Sequence, residues 1–276
     1  MPYLINKRID LTRTFRYRLS IQADLSGFSF AILDDNAAAC LQLHHHPFPD
    51  NIDLNDLYSE AVAWRQKYPQ LKSFFSSAQC VYCAPFFTLI PESAFVPEKA
   101  AAVLQSIHSI NDLDEVYYHP LPQFSAICIY TVPSSITAPL LKSQSSIHFY
   151  SIAIPLIQMS IPLYGHTRVL FFYRNQHLYL TIMKDNQLLL CNAYHAPDFT
   201  TTLYYLFFAL HQWQLNPESI RLYIGGQLTK EDRQLLHTYF PLVSILCEDS
   251  ITFHSLEHNL LHSTILHPIC ASSEAS

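Results

Sequence analysis

The chain has 276 residues, of which half are hydrophobic, 13% aromatic and only 14% charged, against roughly 25% charged in an average domain. That is enough apolar mass for one large domain or two of ordinary size, and it implies a surface rich in Tyr, Ser, Gln and His, or one partly covered by a partner. A net charge of −6 without a Lys/Arg stripe excludes nucleic acid as the main partner.

In chain order, Phe15 to Asp24 alternates and is predicted as a strand. The basic segment from Arg8 to Arg18 reads into it as a half-exposed strand. Gly27 to Leu33 is a second strand with Phe28, Phe30 and Ile32 on one face. Asp34-Asp35-Asn36 makes a turn, and Ala37 to Leu43 a third strand. His44-His45-His46 reads as its end running into a loop. Asp53 caps a helix whose Leu54, Leu57, Tyr58, Ala61, Trp64 and Tyr68 form one stripe, ended by Pro69. Gln79 to Ala84 and Phe86 to Ile90 are strands around Pro85. Pro97 starts a helix, Val116 to Tyr118 and Ser125 to Val132 are strands, and Ile136 to Lys142 is a short helix.

From Ser143 to Thr167 no Asp, Glu, Lys or Arg occurs. Two prolines and several polar residues break the stretch, so a buried helix kinked at Pro155, within His148 to Tyr164, is expected rather than a membrane span. Val169 to Arg174, His177 to Lys184 and Gln187 to Tyr194 repeat the three-strand opening, with turns at Asn175 and Asp185-Asn186. Pro197-Asp198 opens an apolar helix. Its Tyr204-Tyr-Leu-Phe-Phe208 run exceeds one helical face and predicts burial on more than one side. Ile220 to Ile224 is a strand. Thr229 to Asp232 has the form of a capping box for a helix with Leu235, Leu236 and Tyr239 facing inward. Val243 to Cys247 is the last strand, and the residues from Pro268 on are small and polar.

Only four glycines occur, Gly27, Gly165, Gly225 and Gly226, where about 19 would be average. A glycine-rich phosphate loop is therefore excluded. The repeated three-strand opening and the strand running into Gly225-Gly226-Gln227 before a capped helix resemble the actin-like ATPase plan. Leu19-Ser-Ile-Gln, Gly27-Phe-Ser-Phe, Phe87-Thr-Leu-Ile-Pro91, Asp198-Phe199 with Tyr204-Tyr205, and Ile224-Gly-Gly-Gln-Leu228 together resemble an uncharacterised bacterial family assigned to that fold, over nearly the whole chain. The resemblance implies an Asp-x-Gly-Thr-like corner gripping phosphates and metal in the first hairpin of each half. Here the first corner reads Asp24-Leu-Ser-Gly27, with its spacing off by one. The second reads Phe172-Tyr-Arg-Asn-Gln-His177, without acid or glycine. Gly225-Gly226 matches the adenosine corner in form, and equally suits a tight strand-to-helix turn.

Other constellations carry less. Cys80 and Cys83, three apart on a strand, point to opposite faces and read as core thiols. Seven cysteines with no apolar leader at the N-terminus read as reduced thiols in the cytoplasm. His254, His258 and His262 share helical spacing with Glu257 nearby, but with 15 histidines in the chain chance spacing is the expected explanation and no metal is predicted.

The expectation is an α/β chain with a duplicated actin-like ATPase (ribonuclease H-like) fold, two lobes each with a mixed sheet flanked by helices. Residues 1–145 form the first lobe and 146–276 the second, packed around a cleft. The expected role is a non-catalytic cytoplasmic scaffold or interaction protein, with another protein as partner, no cofactor and no membrane insertion. The alternative is a weak ATP binder or ATPase using the inter-lobe cleft, with Asp24, Gly27, Gly225 and Gly226 as vestigial nucleotide contacts.

Overall fold

A computed structural model describes residues 3–6, 9–34, 39–48 and 54–246. The chain divides into two compact units, the first running through Ile152 and the second beginning at Ala153.

In the first unit, strands β1 (Tyr3–Asn6), β2 (Tyr17–Asp24), β3 (Gly27–Asp34) and β4 (Ala39–Pro47) precede helix α1 (Leu54–Lys67) and β5 (Ser77–Tyr82). After them come β6 (Phe87–Pro91), α2 (Ala100–Gln105), β7 (Asp114–Leu121), β8 (Ala126–Pro133), α3 (Ser134–Leu141) and β9 (His148–Ser151). Six strands form one sheet in the order β1-β4-β3-β2-β5-β9. Strands β2 to β4 are an antiparallel meander, β5 runs parallel to β2, and β9 parallel to β5. Both faces of β2 and β3 are covered, so Leu19, Ile21, Phe28, Phe30 and Ile32 are buried together with Ser20, Gln22 and Ser29. Buried polar side chains need partners, and Gln79 Nε2 donates to the Ser20 hydroxyl at 2.9 Å.

Helix α1 covers β3 with Leu57, Ala61 and Trp64, one turn apart, as a 3.6-residue period requires. Trp64 stacks on Phe28 at 4.9 Å and meets Phe30 edge-on at 5.7 Å. Tyr58, expected on the same stripe, lies exposed instead, its hydroxyl accepting a hydrogen bond from Lys142 Nζ at 3.0 Å. Strands β6, β8 and β7 form a separate antiparallel sheet in that order. Helix α2 places Ala100 and Leu104 on Ile127 and Ile129 of this sheet, giving the insertion a small core of its own.

The second unit contains α4 (Ala153–Ser160), β10 (Thr167–Arg174), β11 (His177–Lys184), β12 (Gln187–His195), α5 (Phe199–Gln212), β13 (Arg221–Gly226), α6 (Lys230–Tyr239) and β14 (Val243–Ile245). Its sheet order is β12-β11-β10-β13-β14. Strands β10 to β12 are antiparallel, and β13 and β14 add in parallel. Strand for strand this repeats β4-β3-β2-β5-β9. The first unit departs from the repeat by the added β1 and by the sheet inserted between β5 and β9.

Helices α5 and α6 bury Leu206, Leu210 and Leu236 against Phe171, Leu180, Leu222 and Ile224. Helix α4 crosses β10, β11 and β12. Its residues are almost all buried, which explains why it is apolar all round. The carbonyls at its C-terminal end are collected by one cation. Buried Arg168 donates to Ser160 O at 2.8 Å, Gly165 O at 3.0 Å, Ile161 O at 3.3 Å and Asn186 Oδ1 at 2.9 Å. A guanidinium there meets both the unpaired carbonyls and the negative helix end. Burial holds its pKa below the usual arginine value.

Several expectations need correction. Leu11–Arg16 is a 3-10 helix, with Asp10 capping it through Thr12 N at 3.0 Å, not the start of a strand. His148–Ser151 is a strand, and Pro155 sits in the first turn of α4, where its missing N–H costs nothing, so no kink is needed. His44, His45 and His46 lie inside β4, opposite Phe30, Ser29 and Phe28. In α6 only Leu236 is buried, while Leu235 and Tyr239 are exposed. The expected cap Asp53, the turn residues Asp35 and Asn36, and everything from Cys247 on, including His254, His258 and His262, lie outside the described residues.

Histidines of both units, His44, His46 and His119 in the first and His177 in the second, make stability depend on pH. His44 is buried and stacked on Phe30 at 4.7 Å. Burial lowers its pKa, and does the same for His119, His177 and His46, the last helped by the charge of Lys67. The unfolded chain, with imidazoles near ~6.5, then binds more protons than the folded one. The stabilisation is fully present above that unfolded value and is lost as pH falls through the folded values. Scanning calorimetry between about pH 7 and pH 5 should show Tm falling with acidification, with a shallower fall in His44→Phe. An equal slope in that variant would remove His44 from the account.

Candidate functional site

The hairpin corner between β2 and β3 is organised by Asp24. Its Oδ1 accepts from the Ser26 backbone N–H at 2.7 Å and from the Ser26 hydroxyl at 2.6 Å. This is the local turn an Asp two residues before a Ser favours. Asp24 itself is buried, and its charge, after burial and Asp114, helps hold the neighbouring Tyr82 phenol well above its usual pKa. Gly27 pairs with Asp24 on one side and Pro47 on the other. A Cβ at Gly27 would stand 2.4 Å from His46 O. The residue is therefore glycine because the β4 backbone passes too close for any other.

The equivalent corner of the second unit lies between β10 and β11. Asn175 and Gln176 both take positive φ, 49° and 58°, a two-residue hairpin turn of the kind that matches strand twist. Arg174 before it is buried. The turn is tied to the end of β13: Asn175 N donates to Gln227 Oε1 at 2.9 Å, and Gln227 N donates to Tyr173 O at 2.7 Å. On the other side, Ala196 N donates to Gln176 O at 2.7 Å and the Tyr173 hydroxyl to Ala196 O at 3.0 Å. Gly226, at φ 94°, presses on β10, since a Cβ there would lie 2.0 Å from Tyr173 O. Gly225 faces the Leu246 side chain, 2.8 Å from such a Cβ.

The structure thus brings Asp24 together with Gly27 in one corner, and Gly225 and Gly226 together with Arg174 and Asn175 in the other. Ser26 and Gln227, which take up the carboxylate oxygen and the turn amide, are residues the sequence motifs contained but to which no role was given. Thr229 then caps α6 in the expected reciprocal box, Asp232 N donating to Thr229 Oγ1 at 3.1 Å and Thr229 N to Asp232 Oδ2 at 2.9 Å. Cys80 and Cys83 are both buried, the Cys80 thiol pushed far up in pKa by burial. Among the described residues no group of three or more His, Cys, Asp or Glu is placed to hold a metal, and no helix is long and apolar enough to cross a membrane.

The first unit also has an open pocket of about 570 Å³ beside α1 and α3, lined by Tyr58, Leu113, Asp114, Pro133, Ser135 and Ala138 among others. Its lining is mainly apolar, with one carboxylate, and Asp114 Oδ2 is engaged by Asn111 N at 3.1 Å.

A five-stranded unit of three antiparallel and two parallel strands, used twice, with a strand–Gly–Gly–helix corner in the second copy, defines an actin-like ATPase fold. The chain belongs to the family described as protein of unknown function DUF3822, whose model matches residues 6–243. A solved structure from Bacteroides thetaiotaomicron, described as a protein with actin-like ATPase fold and unknown function, is 21% identical, with 94% of this chain and 98% of that chain covered and a TM-score of 0.80. The PilM–PilN type IV pilus biogenesis complex is 12% identical over 91% of this chain and 97% of that one, at TM-score 0.49. The ethanolamine utilization protein EutJ from Carboxydothermus hydrogenoformans is 8% identical over 95% and 91%, at TM-score 0.46. No curated protein matches the chain.

Proposed function

We propose that this chain is a non-catalytic scaffold or interaction protein that keeps an actin-like ATPase fold with degenerate phosphate corners, and that its partner is another protein in the cytoplasm. The carrying observation is the bond from Asn175 N to Gln227 Oε1. Phosphates are held by backbone N–H groups free to point at them, and here a turn amide in the expected position is taken by a side chain of the same unit. Two features agree with it. Oδ1 of Asp24 already accepts twice from Ser26. Arg174, which stands where a carboxylate would anchor Mg²⁺, has donors only and cannot bind a cation.

A weak ATP binder is the second reading, favoured by the Gly225-Gly226 corner, whose form is intact. Phosphoryl transfer needs the phosphates positioned and their developing charge neutralised, and losing a metal-assisted transition state commonly removes orders of magnitude in rate. The expected result is no measurable hydrolysis under single-turnover conditions with Mg²⁺ at high protein concentration, and at most a small rise in Tm with ATP. Turnover that Asp24→Ala abolishes would establish an ATPase and overturn the scaffold reading. A large Mg²⁺-dependent Tm rise without turnover would favour the binder.

A further inference from the structure

The edge of the second sheet offers a different kind of surface. Strand β12 is the outermost strand of its sheet, and six of its residues, Leu188, Leu189, Leu190, Cys191, Ala193 and Tyr194, are half-exposed. Edge strands left open usually carry lysine, proline or a covering element against unwanted pairing. From Gln187 to Gln214 the only charged residue is Asp198, and its carboxylate caps α5 by accepting from Thr201 N at 2.7 Å.

The apolar character continues onto α5. Tyr194 of β12 stacks on Tyr205 at 4.6 Å, Tyr205 meets Tyr204 at 5.3 Å, and Tyr204 stacks on Phe208 at 6.0 Å. Tyr204 is 62% and Phe208 43% exposed, so the helix predicted to be buried on more than one side leaves an aromatic row outside. The first unit shows what this edge accepts. Strand β4, the counterpart of β12, carries β1 paired antiparallel along it, whereas no described strand covers β12.

We propose that β12 and the outer face of α5 form the dimer interface of this protein, two copies pairing their β12 edges antiparallel about a two-fold axis. The second copy is the occupant that the charges favour. The chain carries −6 overall, so two copies repel except where a face brings no charge to its own image. A two-fold contact sets the same patch of each copy against the other, residue i meeting j and j meeting i, and neither β12 nor α5 contains an Asp, Glu, Lys or Arg to bring to it. The size fits as well: nine residues at ~3.4 Å each give an edge about 30 Å long, and with the helix layers on either side at ~10 Å spacing roughly 600–900 Å² per copy, against about 800 Å² for a stable interface. This inference does not depend on whether nucleotide binds.

The test is light scattering on the purified full chain over a concentration series, joined to hydrogen exchange at residues 187–195. Wild type should show twice 31.8 kDa at tens of micromolar, with β12 amides more protected as the dimer fills. Asn192→Lys with Tyr204→Lys, both at exposed positions, should restore the single-chain mass with circular dichroism and Tm unchanged. A wild type that stays at the single-chain mass would overturn the proposal, as would a dimer that survives both substitutions. Protected β12 amides in a monomer would also overturn it, because a segment of the same chain would then hold the edge.

Discussion

Gly226→Ala is expected to cost about 4 kcal/mol or more, in the exceptional range that needs a named cause such as backbone strain or a severe clash. Two independent terms act at this position. The φ of 94° lies where an L-residue is strained, and the added Cβ would sit 2.0 Å from Tyr173 O, a backbone atom of β10 that cannot swing aside. Tyr173 O is also the acceptor for Gln227 N, so moving it loosens the bond that follows. Gly225→Ala makes the contrast. Its nearest obstacle is Leu246 Cδ1 at 2.8 Å, the end of a flexible side chain, and overpacking of that kind costs about 1–3 kcal/mol. For a chain of this size a loss of 4 kcal/mol lowers Tm by roughly 10 °C. Thermal unfolding of the two variants should separate them clearly, and equal melting would mean the close approach to β10 is wrong. There is a consequence for function. A nucleotide effect of Gly226→Val would report unfolding, whereas Gln227→Ala frees the Asn175 amide without touching the backbone and is the cleaner probe of whether the corner can hold an anion.

The hairpins of the second unit were readable because their turns declare themselves. Asn175, Asp185 and Asn186 are residue types that tolerate positive φ, and all three adopt it. The α6 cap was readable for a similar reason, Thr229 and Asp232 being three apart and reciprocal. The two short edge strands of the first sheet were harder. Strand β9 has four residues and joins an apolar helix without a break, so no period marks where one ends and the other begins. Strand β1 is equally short. The 3-10 segment Leu11–Arg16 runs straight into β2, whose alternation extends back through Tyr17 to Phe15, and the Asp10 cap was the signal to weigh against a strand there. At the corners, Asp24 with Ser26 is a local pattern that could have been found. Gln227 with Asn175 could not, because 52 residues separate them and only the parallel pairing of β13 with β10 brings them together. The aromatic run of α5 misled because apolar residue type was equated with burial. Large apolar residues are often exposed, and Tyr204 and Phe208 are.

Trp64→Ala should be the most damaging substitution in the first unit, by about 3–5 kcal/mol. Trp64 is the largest of the fully buried side chains. It fills the space between α1 and β3, stacked on Phe28 and edge-on to Phe30 and Tyr68, and close-packed neighbours collapse only partly into a cavity of that size. Trp64→Phe divides the cost in a way that tests the cause. The indole Nε1–H has no acceptor among the described residues, and an unpaired buried donor costs about 1–3 kcal/mol. Phenylalanine leaves part of the cavity but removes that donor, and a ring still stacks on Phe28. Chemical denaturation should therefore place Trp64→Phe much closer to wild type than to Trp64→Ala, with the same denaturant slope in all three. If the phenylalanine variant falls as far as alanine, the N–H is bonded in solution and Trp64 holds α1 through a polar contact as well as through packing.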